Sequence, residues 1–291
     1  MHHKLILGAV QLGLPYGINN QHGQPDCETS REILRLAWQG GIRAIDTADA
    51  YGSSMERIGA FHEESPELRF RVITKFHASA DDTALHAKAR AACEKLRVER
   101  LYCYQYHRFS DIAAFPRYAE QLRALKEQNI IERVGASVYT NEELEAAAKI
   151  PFLDVIQFPF NVLDNIKIRG EAMRRAKENG KELHARSIFL QGLFFKTAAD
   201  FPPKLTPLLP PIAELHKRIK NGNSGCNSLQ ELALNYALHQ PLLDGALVGV
   251  ETPRQIEEIL AAVHSSLSPD LCHAVDEITV QKPELLNPAH W

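Results

Sequence analysis

Ile45-Asp46-Thr47-Ala48-Asp49-Ala50-Tyr51-Gly52 is the stretch that decides the fold. It places a carboxylate and a phenol five residues apart at the end of a short apolar run. Two later apolar runs, residues 72–75 and 101–107, also end in an ionisable side chain. If the three runs are successive parallel strands, their carboxyl ends meet at one edge of a sheet. The side chains expected to meet there are Asp46, Tyr51, Lys75 and His107.

Short β-like runs alternate with longer helical patterns along the whole chain. The predicted strands are Leu5–Val10, Arg43–Asp46, Arg71–Lys75, Leu101–His107, Arg133–Ser137, Val155–Phe158, Glu182–Ser187 and Ala246–Val248. Helical patterns fall near residues 28–40, 54–63, 82–97, 116–129, 141–149, 169–179, 228–239 and 252–265. Eight such pairs in about 250 residues predict an α/β fold, a closed (β/α)8 TIM barrel. An open doubly wound sheet is the alternative, but Gly8 and Gly13 do not form the Gly-rich turn typical of its first strand.

Two segments lie outside this alternation. Residues 196–227 are rich in Pro and Gly and predict a loop insertion with a short helix near 211–220. The insertion either crosses the active face or lies idle on the surface. The last residues, 287–291, either fold over the active face and help to hold substrate or form a disordered or surface-docked tail. Because no linker or repeat interrupts the chain, we expect residues 1–291 to form a single barrel domain. In the fourth strand, side chains alternate, and three are expected to pack outward against helices: Tyr102, Tyr104 and Tyr106.

The composition excludes several classes of function. A net charge of −3 and a pI near 6.5 give no basic surface for nucleic acid or an anionic membrane. No apolar run approaches the roughly 20 residues that span a bilayer, and the apolar residues near the N-terminus are better explained as the first strand. The five cysteines are odd in number and form no C-x-x-C pair, so neither disulfides nor a metal site is expected. A reducing, cytoplasmic location is therefore predicted.

The four clustered side chains suit proton transfer to a carbonyl oxygen. A tyrosine in water has a pKa near 10, and a nearby ammonium lowers it by favouring the phenolate. A carboxylate keeps that lysine charged, and a histidine can orient the substrate oxygen. Such a positioned acid typically contributes about 10²- to 10⁴-fold in rate.

The pattern Asp46-Thr47-Ala48-x-x-Tyr51-Gly52-x-Ser54, with Lys75 and His107 at strand ends, resembles the aldo-keto reductase family. Further matches in the same order are Leu7-Gly8-Ala9, Gly135-Ala136-Ser137, Gln157, Gln191-Gly192-Leu193 and Val248-Gly249. The resemblance implies NAD(P)H-dependent reduction of an aldehyde or ketone, or the reverse oxidation of an alcohol, with Tyr51 as proton donor. It also implies a small-molecule carbonyl or alcohol substrate and a monomer or homodimer.

The cofactor implied by the resemblance is NADP, with NAD as the other possibility, extended along the barrel mouth. The residues implied to bind it are Gly8, Ala9, Ser137, Gln157, Arg186, Ser187, Gln191, Gly192, Gly249, Thr252, Arg254 and Glu258. Thr252-Pro253-Arg254-Gln255 predicts a capped helix start, whose free backbone N–H groups suit a phosphate.

Some positions depart from the family pattern. Arg186 stands where an aromatic residue often stacks on the nicotinamide, Val138 where an asparagine is common, and Ile259 in place of the second residue of a Glu-Asn pair. Glu251 would repel a 2′-phosphate, whereas Arg254 would attract one, so the coenzyme preference stays open.

Two other functions are compatible with the same residues. The departures above would suit a cofactor-binding regulatory protein with little turnover. Lys75 could instead serve a lyase or aldolase as a Schiff-base nucleophile, although the neighbouring Asp46 argues against this because it keeps the lysine charged.

Overall fold

Eight parallel strands form a closed barrel, in which each strand pairs with the next and the last pairs with the first. The computed structural model describes residues 1–79, 85–221, 226–263 and 267–291. Strands β1 to β8 are Leu5–Gly8, Ala44–Asp46, Arg71–Phe76, Leu101–Tyr106, Ile131–Ser137, Val155–Pro159, Glu182–Arg186 and Gly245–Gly249. The predicted (β/α)8 barrel is therefore confirmed.

Helices surround the barrel and connect its strands. In the described residues, α1 to α12 are Val10–Gly13, Cys27–Gln39, Ser54–Glu64, Leu85–Leu96, Ser110–Ala114, Tyr118–Glu127, Asn141–Ala148, Ile166–Glu178, Leu209–Asn221, Leu229–Leu238, Pro253–Ala262 and Pro269–Asp276. The predicted ranges 82–97 and 252–265 each extend beyond the described residues at one end. Within the part of the chain that is described, every helix is too short or too polar to cross a bilayer.

The first predicted strand, Leu5–Val10, is wrong at its carboxyl end. Strand β1 stops at Gly8, and helix α1 begins at Val10. Ala9 has left the extended conformation, with φ −106° and ψ 13°, although its N–H still donates to the Asp46 carbonyl at 2.8 Å. An unbroken apolar run does not distinguish a strand from the helical turn that follows it.

The outward packing predicted for the tyrosines of β4 holds for two of the three. The rings of Tyr104 and Tyr106 lie 4.6 and 4.8 Å from the ring of Phe76, in the layer between barrel and helices. Tyr102 instead reaches the amino-terminal end of the barrel, where its hydroxyl donates to both carboxylate oxygens of Glu182 at 2.6 and 2.8 Å. A partner for the hydroxyl allows a buried tyrosine to turn inward.

The Pro- and Gly-rich insertion is largely helical where it is described. A 3-10 segment, Pro203–Leu208, leads directly into α9, and α9 also packs on α10 and α12. Residues 222–225, which include part of the predicted Gly-rich stretch, lie outside the described residues. The helix expected near 211–220 is thus present, with its start two residues earlier, at Leu209.

Candidate active site

Backbone hydrogen bonds between neighbouring strands hold the ends of β2, β3 and β4 together. Thr47 N–H donates to the Ile73 carbonyl at 2.8 Å, and His107 N–H donates to the Phe76 carbonyl at 3.0 Å. These bonds fix the residues at the carboxyl ends of the three strands. The structure brings the four predicted side chains to this end of the barrel, where all four line one cavity: Asp46, Tyr51, Lys75 and His107.

Asp46 and Lys75 form a buried ion pair, with exposed fractions of 3% and 2%. The Lys75 ammonium donates to Asp46 Oδ1, and Gln157 Nε2 donates to Asp46 Oδ2 at 2.9 Å. Burial alone would lower the pKa of Lys75, but the charge and hydrogen bond of Asp46, together with the nearby Tyr51, outweigh burial and raise that pKa. Lys75 is therefore charged at neutral pH, with its position fixed by the carboxylate.

Tyr51 is half-buried above this ion pair. The Lys75 ammonium lies 5.3 Å from the centroid of the Tyr51 ring, and the His107 ring stands perpendicular to it at 6.0 Å. Burial raises the pKa of the Tyr51 hydroxyl, and Lys75 opposes this shift without reversing it. The ammonium thus lowers the pKa of Tyr51, as expected, but desolvation of the phenolate raises that pKa by more.

His107 is a neutral imidazole at physiological pH. Burial, assisted by the charge of Lys75, lowers its pKa to about 3. Its Nδ1 is buried and has no hydrogen-bond partner among the described residues. A neutral ring carries one N–H, so it can donate one hydrogen bond to a substrate oxygen.

The backbone of Tyr51 rests on a glycine that the sequence patterns did not single out. A Cβ on Gly13 would lie 1.8 Å from the Tyr51 carbonyl oxygen, so no other residue fits without displacing that loop. Gly52, at φ +51°, also lies close to Gly13, because a Cβ added to Gly52 would lie 2.3 Å from the Gly13 carbonyl oxygen. Helix α1 and the Tyr51 turn therefore pack backbone to backbone.

A cavity of about 450 Å³ opens above the four side chains. Ten of the twelve predicted cofactor residues line it: Gly8, Ala9, Ser137, Gln157, Arg186, Ser187, Gln191, Gly192, Gly249 and Glu258. The other two, Thr252 and Arg254, do not line the cavity. Thr252 caps α11. The Arg254 side chain is 86% exposed, and its guanidinium lies 2.8 Å from the Glu258 carboxylate. No described residue of 196–227 or 287–291 lines the cavity, so neither segment covers the active face there.

Two loops meet over one side of the cavity, and we refer to residues 16–19 and 187–192 together as the strap. Gln191 Nε2 donates to the Tyr16 hydroxyl at 2.7 Å, and Ile18 N–H donates to the Gln191 carbonyl at 3.1 Å. Gln191 and Gly192 have φ values of 55° and 86°, and a Cβ on Gly192 would lie 2.8 Å from Asn19 Cβ. One half of the strap was expected near the cofactor, because the family resemblance includes Gln191-Gly192.

The start of α11 lies beside the cavity as predicted. Thr252 Oγ1 accepts from Gln255 N–H at 3.3 Å, and Gln255 Oε1 accepts from Glu251 N–H at 2.6 Å. Gln11, which sequence analysis missed, faces the same region: a Cβ on Gly249 would lie 2.5 Å from its Oε1. That oxygen is buried without a hydrogen-bond partner in the described part of the chain.

Arg186 lines the cavity from the end of β7. Its guanidinium lies 4.2 Å from the centroid of the Tyr139 ring, and its Nη2 donates to the Val138 carbonyl at 3.1 Å. The departures Arg186 and Val138 are thus neighbours, and the arginine is anchored on the loop that follows β5.

A sequence model described as "Aldo/keto reductase family" matches residues 4–280. The chain belongs to the aldo/keto reductase family. The match spans β1 to β8 and every side chain of the cluster at the strand ends.

Known members of the aldo/keto reductase family resemble this chain at low identity. The aldo-keto reductase YhdN of Bacillus subtilis is 25% identical, over 81% of this chain and 79% of its own. The D-threo-aldose 1-dehydrogenase of a Pseudomonas species is 25% identical, over 78% and 80%, and the NADH-specific methylglyoxal reductase of Escherichia coli 23%, over 85% and 86%. A crystal structure from Pseudomonas aeruginosa, described as an aldo-keto reductase, aligns with a TM-score of 0.65 at 22% identity, covering 89% of each chain.

Proposed function

We propose that the protein reduces an aldehyde or ketone with a nicotinamide dinucleotide, using Tyr51 as the proton donor. The observation that carries this proposal is the convergence of a phenol, a buried ammonium–carboxylate pair and a neutral imidazole on one cavity. Family membership supports the same reaction class. A hydroxyl whose pKa is raised stays protonated at neutral pH, which suits the acid role of the reductive direction.

Each residue of the cluster has a distinct role in this proposal. The Tyr51 hydroxyl gives its proton to the carbonyl oxygen as negative charge develops there. The Lys75 ammonium stabilises the phenolate left behind, and Asp46 keeps the ammonium in place. His107 donates a hydrogen bond that orients the carbonyl. Gln157 acts through Asp46, because its amide donates to that carboxylate.

The residues around the cavity fit a nicotinamide dinucleotide. A cavity of about 450 Å³ is of the size that small-ligand sites occupy. Gln11 Oε1 is a buried acceptor without a hydrogen-bond partner among the described residues, so a bound ligand could donate to it. Ser137 and Gln157 would hold the carboxamide, and the start of α11 the phosphates. When bound, the nicotinamide would supply the hydride.

Two observations support NAD(H) over NADP(H) as the coenzyme. Glu251 lines the cavity at the start of α11, where its charge would repel a 2′-phosphate and its oxygens could accept from ribose hydroxyls. Arg254, the residue that would attract the phosphate, is turned outward onto Glu258. A fluorescence titration that compares NADH with NADPH tests this, and tighter NADPH binding would reverse the assignment.

Small polar carbonyls are the proposed substrates. Polar and aromatic side chains from loops share the cavity wall: Tyr16, Asn19, Asn20, Tyr139 and Phe195. The relatives named for methylglyoxal and for an aldose support the same class. A Schiff-base lyase is a weaker explanation of the site, because Lys75 is held charged by Asp46 and a nucleophilic amine must be neutral.

Tyr51→Phe tests the proposed proton donor. We expect kcat for carbonyl reduction to fall by about 10²- to 10⁴-fold, while the dissociation constant for NADH stays nearly unchanged. Tyr118→Phe is the matched control, because it also removes a tyrosine hydroxyl, one that lies outside the cavity, where it donates to the Ser79 carbonyl at 3.2 Å and accepts from the Ser79 N–H at 3.4 Å. Unchanged turnover in Tyr51→Phe would refute the assignment, and NADH binding without turnover of any carbonyl would favour a regulatory protein.

A further inference from the structure

Three potential metal ligands lie together at the edge of the candidate active site. One ring nitrogen of His77, one of His107 and a carboxylate oxygen of Asp49 all lie within 4.8 Å of one another. His77 Nδ1 is 3.1 Å from Asp49 Oδ1, and the two imidazole rings are 4.2 Å apart between centroids, at 33° to each other. The cysteine pattern predicted no metal site, and these three residues, which lie far apart in the chain, form no ligand motif.

The barrel backbone holds the three residues in place. Asp49 N–H donates to the Lys75 carbonyl at 3.0 Å, His77 follows β3 directly, and His107 N–H donates to the Phe76 carbonyl at 3.0 Å. Asp49 Oδ2 also accepts from the His77 backbone N–H at 3.1 Å. Ligands attached next to paired strands are more precisely placed than ligands on free loops.

The chemistry of this set suits a first-row divalent metal. Two imidazoles and one carboxylate are ligands that Zn²⁺ accepts, with bonds of roughly 2.0–2.2 Å. Ligand atoms at that distance from one ion lie roughly 3.3 Å apart, so the three side chains would have to move closer together to share the ion. Asp49 supplies negative charge and is partly exposed, which gives the ion a path from solvent.

We infer that Asp49, His77 and His107 form a Zn²⁺ site, and that the bound ion inhibits carbonyl reduction by withdrawing His107 from the substrate oxygen. The His77–Asp49 hydrogen bond would be exchanged for two bonds to the metal. The inhibition rests on the proposed function, whereas the binding of the metal does not.

Calorimetric titration of the full chain with Zn²⁺ tests the site, alongside the variants His77→Gln and Asp49→Asn. We expect one equivalent to bind the wild type, and each variant to bind more weakly by about 10-fold or more, since even outer partners of metal ligands change affinity by about 10- to 100-fold. Co²⁺, followed by its visible absorption, should give the same ranking without any assay of turnover. Wild-type binding that His77→Gln leaves unchanged would overturn the site.

Reduction assays test the inhibitory consequence. Zn²⁺ should inhibit the wild type and EDTA should restore it, whereas the rate of His77→Gln, measured with and without the ion, should change little when Zn²⁺ is added. His86→Gln and Cys27→Ser are controls, because both remove an exposed potential ligand from elsewhere on the surface. Equal inhibition of His77→Gln and the wild type would overturn the proposal. If no carbonyl is reduced by the wild type, the proposed function fails, and the Zn²⁺ and Co²⁺ titrations still decide the metal site.

Discussion

Tyr51 depends on its backbone neighbour as much as on its side-chain partners. A methyl group at Gly13 would overlap the Tyr51 carbonyl oxygen, at 1.8 Å. We expect Gly13→Ala to push the turn away from Lys75 and to lower kcat by about 10²-fold, the usual effect of a misplacement near 1 Å. Stability should fall by about 1–3 kcal/mol through overpacking. Steady-state kinetics and urea unfolding measure both effects.

Gly170→Ala is the matched control for that substitution. Gly170 lies inside α8, and the nearest atoms to its added Cβ belong to the flexible Ile166 side chain at 3.2 Å. Since alanine is favoured over glycine in a helix by about 1 kcal/mol, this variant should keep full activity. Full activity in Gly13→Ala as well would show that the close approach does not position Tyr51.

The pH dependence of kcat/KM should report Tyr51 and not His107. A proton donor acts below its own pKa, and the pKa of Tyr51 is raised from 10.0, so the alkaline loss of reduction should begin only above pH 10. The pKa of His107 is about 3, so the imidazole stays neutral and should cause no loss between pH 7 and pH 5. An alkaline limb near neutral pH would contradict this ordering.

The four catalytic candidates could be predicted from the sequence because each lies at or just beyond a strand end. Position along parallel strands is enough to place Asp46, Lys75 and His107 at one edge. The roles of Gln157 towards Asp46 and of Gly13 towards Tyr51 were not predictable, since both depend on contacts across the barrel or between loops. The proposed metal site was not predictable for the same reason.

The strap, residues 16–19 and 187–192, is the element most suited to retaining the cofactor. Tyr16→Phe removes the hydrogen bond from Gln191 while keeping the ring. A typical hydrogen bond contributes about 0.5–1.5 kcal/mol, so we expect NADH binding to weaken by about 2- to 12-fold with little change in kcat. Stopped-flow measurement of NADH release checks this. An unchanged release rate would mean that the bond does not hold the strap closed.

The ends of strands were predictable where the hydrophobic pattern changes sharply. They were not predictable where apolar residues continue beyond the end of the strand. The start of β5 lies at Ile131, two residues earlier than predicted, and β1 ends two residues earlier. Tyr102 was assigned to the outer layer because strict alternation was assumed, whereas Glu182 gives it a partner at the barrel's amino-terminal end. The location of the insertion beside α10 and α12 depends on tertiary packing, which its Pro and Gly content does not encode.

The stability of the whole molecule should fall in mild acid because of His62, a fully buried histidine. Its Nδ1 bonds the Leu96 carbonyl at 2.8 Å, and its Nε2 accepts from Phe70 N–H at 3.1 Å. Burial lowers its pKa below 6.5 in the folded state. Above pH 6.5 His62 is neutral in both the folded and the unfolded protein. Below pH 6.5 His62 binds a proton in the unfolded chain but stays neutral in the folded protein, so a fall in pH favours unfolding.

Urea unfolding at several pH values checks this linkage. From pH 6.5 downwards, until the lowered folded pKa is reached, His62 should contribute a slope of up to about 1.4 kcal/mol per pH unit. His62→Gln should be less stable at pH 7 and show a correspondingly shallower slope, whereas the exposed His86→Gln should match the wild type. Parallel slopes for wild type and His62→Gln would exclude His62 as the titrating group.

Side chains fill the amino-terminal end of the barrel, beneath the candidate active site. Tyr102, Glu182 and His184 are joined by hydrogen bonds there, with the Arg71 guanidinium 3.7 Å from the Tyr102 ring centroid and apolar side chains filling the interior above. The cavity described above opens at the other, carboxyl end of the barrel. If Tyr51 is the proton donor, as proposed, its proton must return through the opening by which the product leaves, so a bulky ligand bound there would block both.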